Sequence, residues 1–173
     1  MNPAHFHLLV NHFPILLPII GMAVLAAGYI FRSRPVQITA LALLVAGTLA
    51  TPLAMYSGEQ AEESLEATGL LDEAYVEHHE EVAERYAVSA YVLGALALLG
   101  LVAHVRDRWA PSRWALAVAV AALPALFFAS RAGLSGGEIR HTEIRPTASP
   151  TVPAGTGGAE GQANEHAEGH DDH

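Results

Sequence analysis

Five histidines and four carboxylates could do chemistry here if the fold brings them together: His5, His7, His12, His79 and His141, with Glu63, Glu80, Glu138 and Glu143. Imidazole with carboxylate suits Cu, Zn, Fe or Mn. Cysteine is absent, which removes thiolate metal sites, cysteine nucleophiles and disulfides. Three of the histidines fall in the opening Ala4-His-Phe-His-Leu-Leu-Val-Asn-His-Phe-Pro-Ile15. On a helix, His5 and His12 share a face, while His7 points about 140° away from His12. Pro14 and Pro18 each remove an amide that would bond four residues back, which frees the carbonyls of Val10 and Pro14. Histidines entering an apolar segment are costly unless paired, hydrated or ligating. The pattern therefore points to a ligand site. No local signature such as His-Glu-x-x-His is present, so the site depends on topology.

The elements that must position these residues are four apolar runs, 13–31, 36–56, 86–105 and 114–130. As helices, runs of this length cross the ~30 Å of a bilayer's hydrocarbon. They lack the polar stripes of a soluble bundle. The expected fold is all-α, a four-helix transmembrane bundle over residues 1–145 with a disordered His/Asp/Glu-rich tail at 146–173. Arg32, Arg34, Arg106, Arg108 and Arg113 sit in two short turns with Asp107 as their one acid. The opposite side carries four arginines against seventeen carboxylates. Short arginine-rich loops stay in the cytoplasm, so both termini are expected outside a bacterial cytoplasmic (inner) membrane. Nine of the ten histidines, all but His104, then lie on the outer side. His104 itself reads as an interfacial residue.

The connections carry their own expectations. Ser57-Gly-Glu-Gln60 reads as a capping box that starts a short amphipathic helix to about residue 67. Asp72 reads as the N-cap of a third helix, whose face Tyr75, His79, Ala83, Tyr86, Ala90, Leu93 and Ala97 carries His79 toward the first helix. Glu81 and Arg85 make an i,i+4 pair. Small residues at Ala23/Ala27, Ala46/Ala50, Ala90/Gly94 and Ala117/Ala121/Ala125 permit close helix approach. Gly133, Gly136 and Gly137 favour a turn that folds a lid, with His141 and Glu138 or Glu143, back onto the bundle. The tail histidines, His166, His170 and His173, could capture metal loosely. A net charge of −9 opposes nucleic acid as a partner. The lipid bilayer, and a respiratory or metal-handling membrane complex, are the expected partners.

The opening His-x-His-Leu-Leu-x-Asn-His-x-Pro, the Gly58…Glu62-Glu63 and His79-Glu80-Glu81 stretches, and the closing Gly-Gly-x-Ile-Arg-His-x-Glu-Ile resemble an uncharacterised bacterial family of small four-span membrane proteins. They are more distantly similar to the wider group opening on His-Phe-Pro-Ile. The likeness covers residues 1–145 and implies that His5, His7, His12, His79, Arg140 and His141 belong to the family pattern. Its general shape is similar to four-helix b-type cytochromes.

The leading expectation is a metal-ion site at the extracytoplasmic face, accessory to metal handling or membrane redox chemistry. A rival is a bis-histidine haem b in an electron-transfer subunit, with His12 and His79 as axial ligands and Arg131 or Arg140 pairing the propionates. A third is a structural or assembly protein without a cofactor. A catalytic role would need an open coordination position and a base. The sequence offers several bases and singles out none.

Overall fold

A computed structural model describes residues 2–66, 69, 71–106 and 111–146, with the side chains of 111–113 outside the description. Five α-helices and one 3₁₀ turn follow in order: α1 Pro3–Val10, α2 His12–Ile30, α3 Arg34–Glu66, α4 Glu73–Val105, α5 Pro111–Arg140 and the turn Thr142–Ile144. Among the described residues there is no strand. Asn2 starts α1, its side-chain oxygen accepting the Ala4 amide at 2.9 Å ahead of Pro3. The chain hinges at Asn11, where Pro14 has removed the amide that would have bonded Val10.

Four segments are long and apolar enough to cross a membrane: Pro3–Ile30, Arg34–Glu66, Glu73–Val105 and Trp114–Arg140. α2 to α5 pack as a ring, each on its neighbour, with α2 closing onto α5; α1 lies on α3. The core is built of Leu25, Ala40, Leu41, Leu44, Leu93, Ala97, Val118 and Ala122. Many of the bulky apolar side chains point outward instead, among them Leu49 at 71%, Leu123 at 68% and Val88 at 66% exposure. Small residues inside and large ones outside is how a bundle packs when lipid covers it. At 33 residues each, α3 and α4 are ~50 Å long. That exceeds the hydrocarbon thickness, so the charged stretches 57–66 and 73–85 project past the apolar layer.

Several local expectations change. α3 runs unbroken through Ser57, which is buried and donates its hydroxyl to Ala54 O at 2.9 Å, so it caps nothing. Packing of Ser57 against α1 outweighs the capping pattern. α5 likewise continues through Gly133, Gly136 and Gly137 to Arg140, because two of those glycines give room to neighbours: His79 at Gly136 and Ile144 at Gly137. Asp72 holds the N-cap position of α4 without a side-chain cap bond, because its carboxylate meets Arg145 at 2.9 Å. α2 and α3 approach at Gly21, Gly28 and Gly47, while Ala23 and Ala46 are exposed. A Cβ on Gly28 would fall 2.9 Å from Gln37 Cγ, and one on Gly47 2.8 Å from Pro18 Cδ. The expected small pair Ala90/Gly94 is buried, with Thr48 filling the space beside Gly94 and donating to Ala90 O at 3.0 Å. His104 is buried as well: its ring nitrogens meet Gly100 O at 2.8 Å and Gln37 Oε1 at 3.1 Å. It ties α4 to α3. The tail from 147 onward lies outside the described residues.

Candidate functional site

At the end of the bundle opposite the arginine turns, two histidines are held in the same way. His7 Nδ1 lies 2.9 Å from Ser57 Oγ, linking α1 to α3. His79 Nδ1 lies 2.9 Å from Ser135 Oγ, linking α4 to α5. Both rings are half-buried, and His7 stands within electrostatic reach of His79. Each leaves Nε2 outside its serine contact. α1 packs on α3 and makes no close backbone contact with α4.

The floor below is polar at one point. Pro18 frees the carbonyl of Pro14, and the Tyr86 hydroxyl donates to it from α4. The carbonyl expected to stand open beside His12 is thus used to join α2 to α4. Asn11 lies one turn after His7, and its side-chain oxygen is buried with no hydrogen-bond partner. Buried polar atoms are nearly always partnered, so an orphaned one next to a candidate ligand marks a place where a polar group binds. Glycines flank both rings. A Cβ on Gly58 would lie 3.4 Å from His7 Cε1, and one on Gly136 3.1 Å from His79 Cε1.

The remaining candidates are placed as follows. His5 is exposed and lines an open pocket of about 360 Å³ with Asn2, Ala4, Leu8 and Leu9. His12 is exposed, and its Nδ1–H donates to Leu8 O at 2.9 Å. His141 is exposed and meets Glu143 at 2.9 Å. Glu143's own backbone amide and then His141 hold that carboxyl below its ordinary range. Glu63 is exposed and accepts from Gln60 Nε2 at 3.3 Å. Glu62 on α3, then partial burial and the neighbouring Glu84 and Glu59, push the Glu80 carboxyl up to about 7. Glu138 is half-buried, and Arg140 and Arg131 are exposed, the latter 5.5 Å from the Phe127 ring centre. Arg145 straps the end of the chain down. It donates to Glu138 O at 2.8 Å and Ile139 O at 3.2 Å, pairs with Asp72, and lies 3.9 Å from the Tyr75 ring centre.

The structure therefore brings His7 and His79 together and leaves His5, His12 and His141 on the surface. Among the described residues, no group of three or more His, Cys, Asp and Glu side chains converges as an ion site. The sequence pattern does not single out Ser135, presents Ser57 only as a helix cap, and brings in Glu62 only through the Gly58…Glu62-Glu63 stretch. A signal for the serines was present in the pattern Ala-x-x-Ser-Gly, which occurs at 54–58 and again at 132–136. No protein-family model, curated protein or solved structure matches this chain.

Proposed function

We propose that this is a four-span protein of a bacterial inner membrane whose extracytoplasmic end holds a transition-metal cofactor between His7 and His79. The arginine-rich turns support that orientation. The observation that carries the proposal is the pair of half-buried imidazoles, one from each half of the bundle, each held at Nδ1 by a serine. Metal-ligating histidines are characteristically oriented through the nitrogen that does not bind the metal.

Two imidazoles are the protein donor set of a haem b iron, whose porphyrin supplies the other four ligands. The buried Asn11 oxygen without a partner, one turn after His7, supports a bound polar group at this end. His7 takes the ligand role that the sequence suggested for His12, and Arg140 remains the cation available for a propionate. A haem held there supplies one-electron transfer, which fits a subunit of a respiratory complex. A second reading is a bare Cu, Zn, Fe or Mn ion, which imidazole with carboxylate suits, Glu80 being the residue next to His79 in the chain.

The test is an absorption spectrum and elemental analysis of protein purified in mild detergent without a His tag. A Soret band that sharpens on reduction, with about one iron per chain, supports the haem. Stoichiometric metal without a Soret band supports the ion. His7→Ala and His79→Ala should each lose most of the bound cofactor, and His5→Ala and His12→Ala should keep it. Full retention in both of the first two variants sinks the site, and absence of any cofactor leaves a structural or assembly role.

A further inference from the structure

We infer that Ser57 and Ser135 are matched positioning residues, one in each of two structurally repeated halves, that hold His7 and His79 as the Nδ1–H tautomer with Nε2 bare. A serine hydroxyl has one hydrogen. Ser57 gives it to Ala54 O at 2.9 Å, and Ser135 gives it to Ala132 O at 3.3 Å. A carbonyl oxygen can only accept. The one arrangement that satisfies both contacts of each Oγ therefore has the hydroxyl donating to alanine and the imidazole nitrogen 2.9 Å away donating to the serine. A neutral imidazole has one N–H, and it is therefore on Nδ1. Neutral histidine in water prefers the opposite tautomer, with the hydrogen on Nε2. The serines thus impose the form that turns the more accessible nitrogen into a lone pair.

The same device is built twice. Ala-x-x-Ser-Gly stands at 54–58 on α3 and at 132–136 on α5, at the same end of the bundle. In both copies the serine bonds the alanine three residues earlier and the glycine lies beside the imidazole. The flanking burial repeats too. Val10, Leu25 and Gly28 follow His7 at the spacings at which Val82, Ala97 and Gly100 follow His79, and all six are buried. On the serine helices, Leu44 and Ala54 match Ala122 and Ala132 in the same way. α1–α2–α3 and α4–α5 therefore follow one helix-pair plan, and each contributes one serine-held histidine at the same end of the bundle.

The inference rests on the reading of His7 and His79 as ligands, but its test does not need a cofactor. Ligand-free protein labelled with ¹⁵N-histidine and held in detergent micelles reports the tautomer of each ring by NMR at mildly alkaline pH. The expected result is the Nδ1–H form at His7 and His79. Ser57→Ala should return His7 alone toward the Nε2–H form, and Ser135→Ala should return His79 alone, with Ser→Thr restoring each. Both rings in the Nε2–H form in the unmodified protein, or tautomers unmoved by the alanine changes, would overturn the proposal. Haemin titrated into the same samples then reads the cofactor separately. Each alanine variant should bind it about 10- to 100-fold more weakly. Tautomers as expected with no haemin binding at all would reject the haem reading while upholding the serines' role.

Discussion

Three side chains at the residue scale show how polar groups in this bundle find partners across helices. Tyr86 carries its hydroxyl from α4 to the carbonyl that Pro18 leaves free on α2. Removing that hydroxyl leaves a buried acceptor unpaired, which costs about 1–3 kcal/mol. Tyr86→Phe should accordingly lower stability by that amount in reversible unfolding in mild detergent, with little change in the isolated helices. Arg145 joins four groups at once: two carbonyls at the end of α5, Asp72 and the Tyr75 ring. Arg145→Ala should destabilise by about 1–3 kcal/mol, since charge-assisted hydrogen bonds and a ring contact are lost together. Asp72→Asn should cost less, because only the ion pair weakens and its partner keeps three contacts. His104 is a buried tie between α4 and Gln37 of α3. Its neighbourhood of arginines is visible in the chain; its carbonyl and amide partners, 4 and 67 residues away, are not.

Elements in this protein run longer than local signals say. The Ser57 capping box and the glycines of 133–137 both look like helix ends, and both lie inside helices. The physical reason is shared. A cap or a glycine biases an isolated segment by about 1 kcal/mol. Packing that segment into the bundle outweighs the bias. This makes Gly133 a direct check on α5. It faces open space at a helical position, so Gly133→Ala should raise stability by about 0.5–1 kcal/mol in the same unfolding assay. A turn at that position would give the opposite sign. Gly94 behaves otherwise, because a Cβ there would run into Thr48. Gly94→Val should cost about 1–3 kcal/mol through overpacking, measured as a lowered midpoint of detergent unfolding.

For the whole molecule, charge asymmetry supports the proposed orientation, and the absence of cysteine makes it simple to test. Ser33 lies in the turn between α2 and α3, and Glu66 ends α3 at the opposite face. In intact cells, a membrane-impermeant maleimide should label Glu66→Cys and leave Ser33→Cys unlabelled until the membrane is opened. Labelling in the reverse order would place the histidine pair on the cytoplasmic side. That face would still carry the pair, but a partner there would be a cytoplasmic one.

Four apolar helices, the ends that share the histidines and the candidate role of His7 and His79 were legible in the chain. They follow from the length and hydropathy of continuous segments and from the sign of the charges between them. Which histidines meet was not legible. His5, His7 and His12 differ only by rotation about one helix, and that rotation is decided by how α1 lies on α3, a contact about fifty residues apart in sequence. The serines that orient the rings, the use of the Pro14 carbonyl by Tyr86 and the unbroken course of α3 and α5 were likewise decided only by tertiary packing. In a bundle with small residues inside, helices approach closely enough for one backbone to complete another. No stretch of sequence taken alone contains both partners of such a contact.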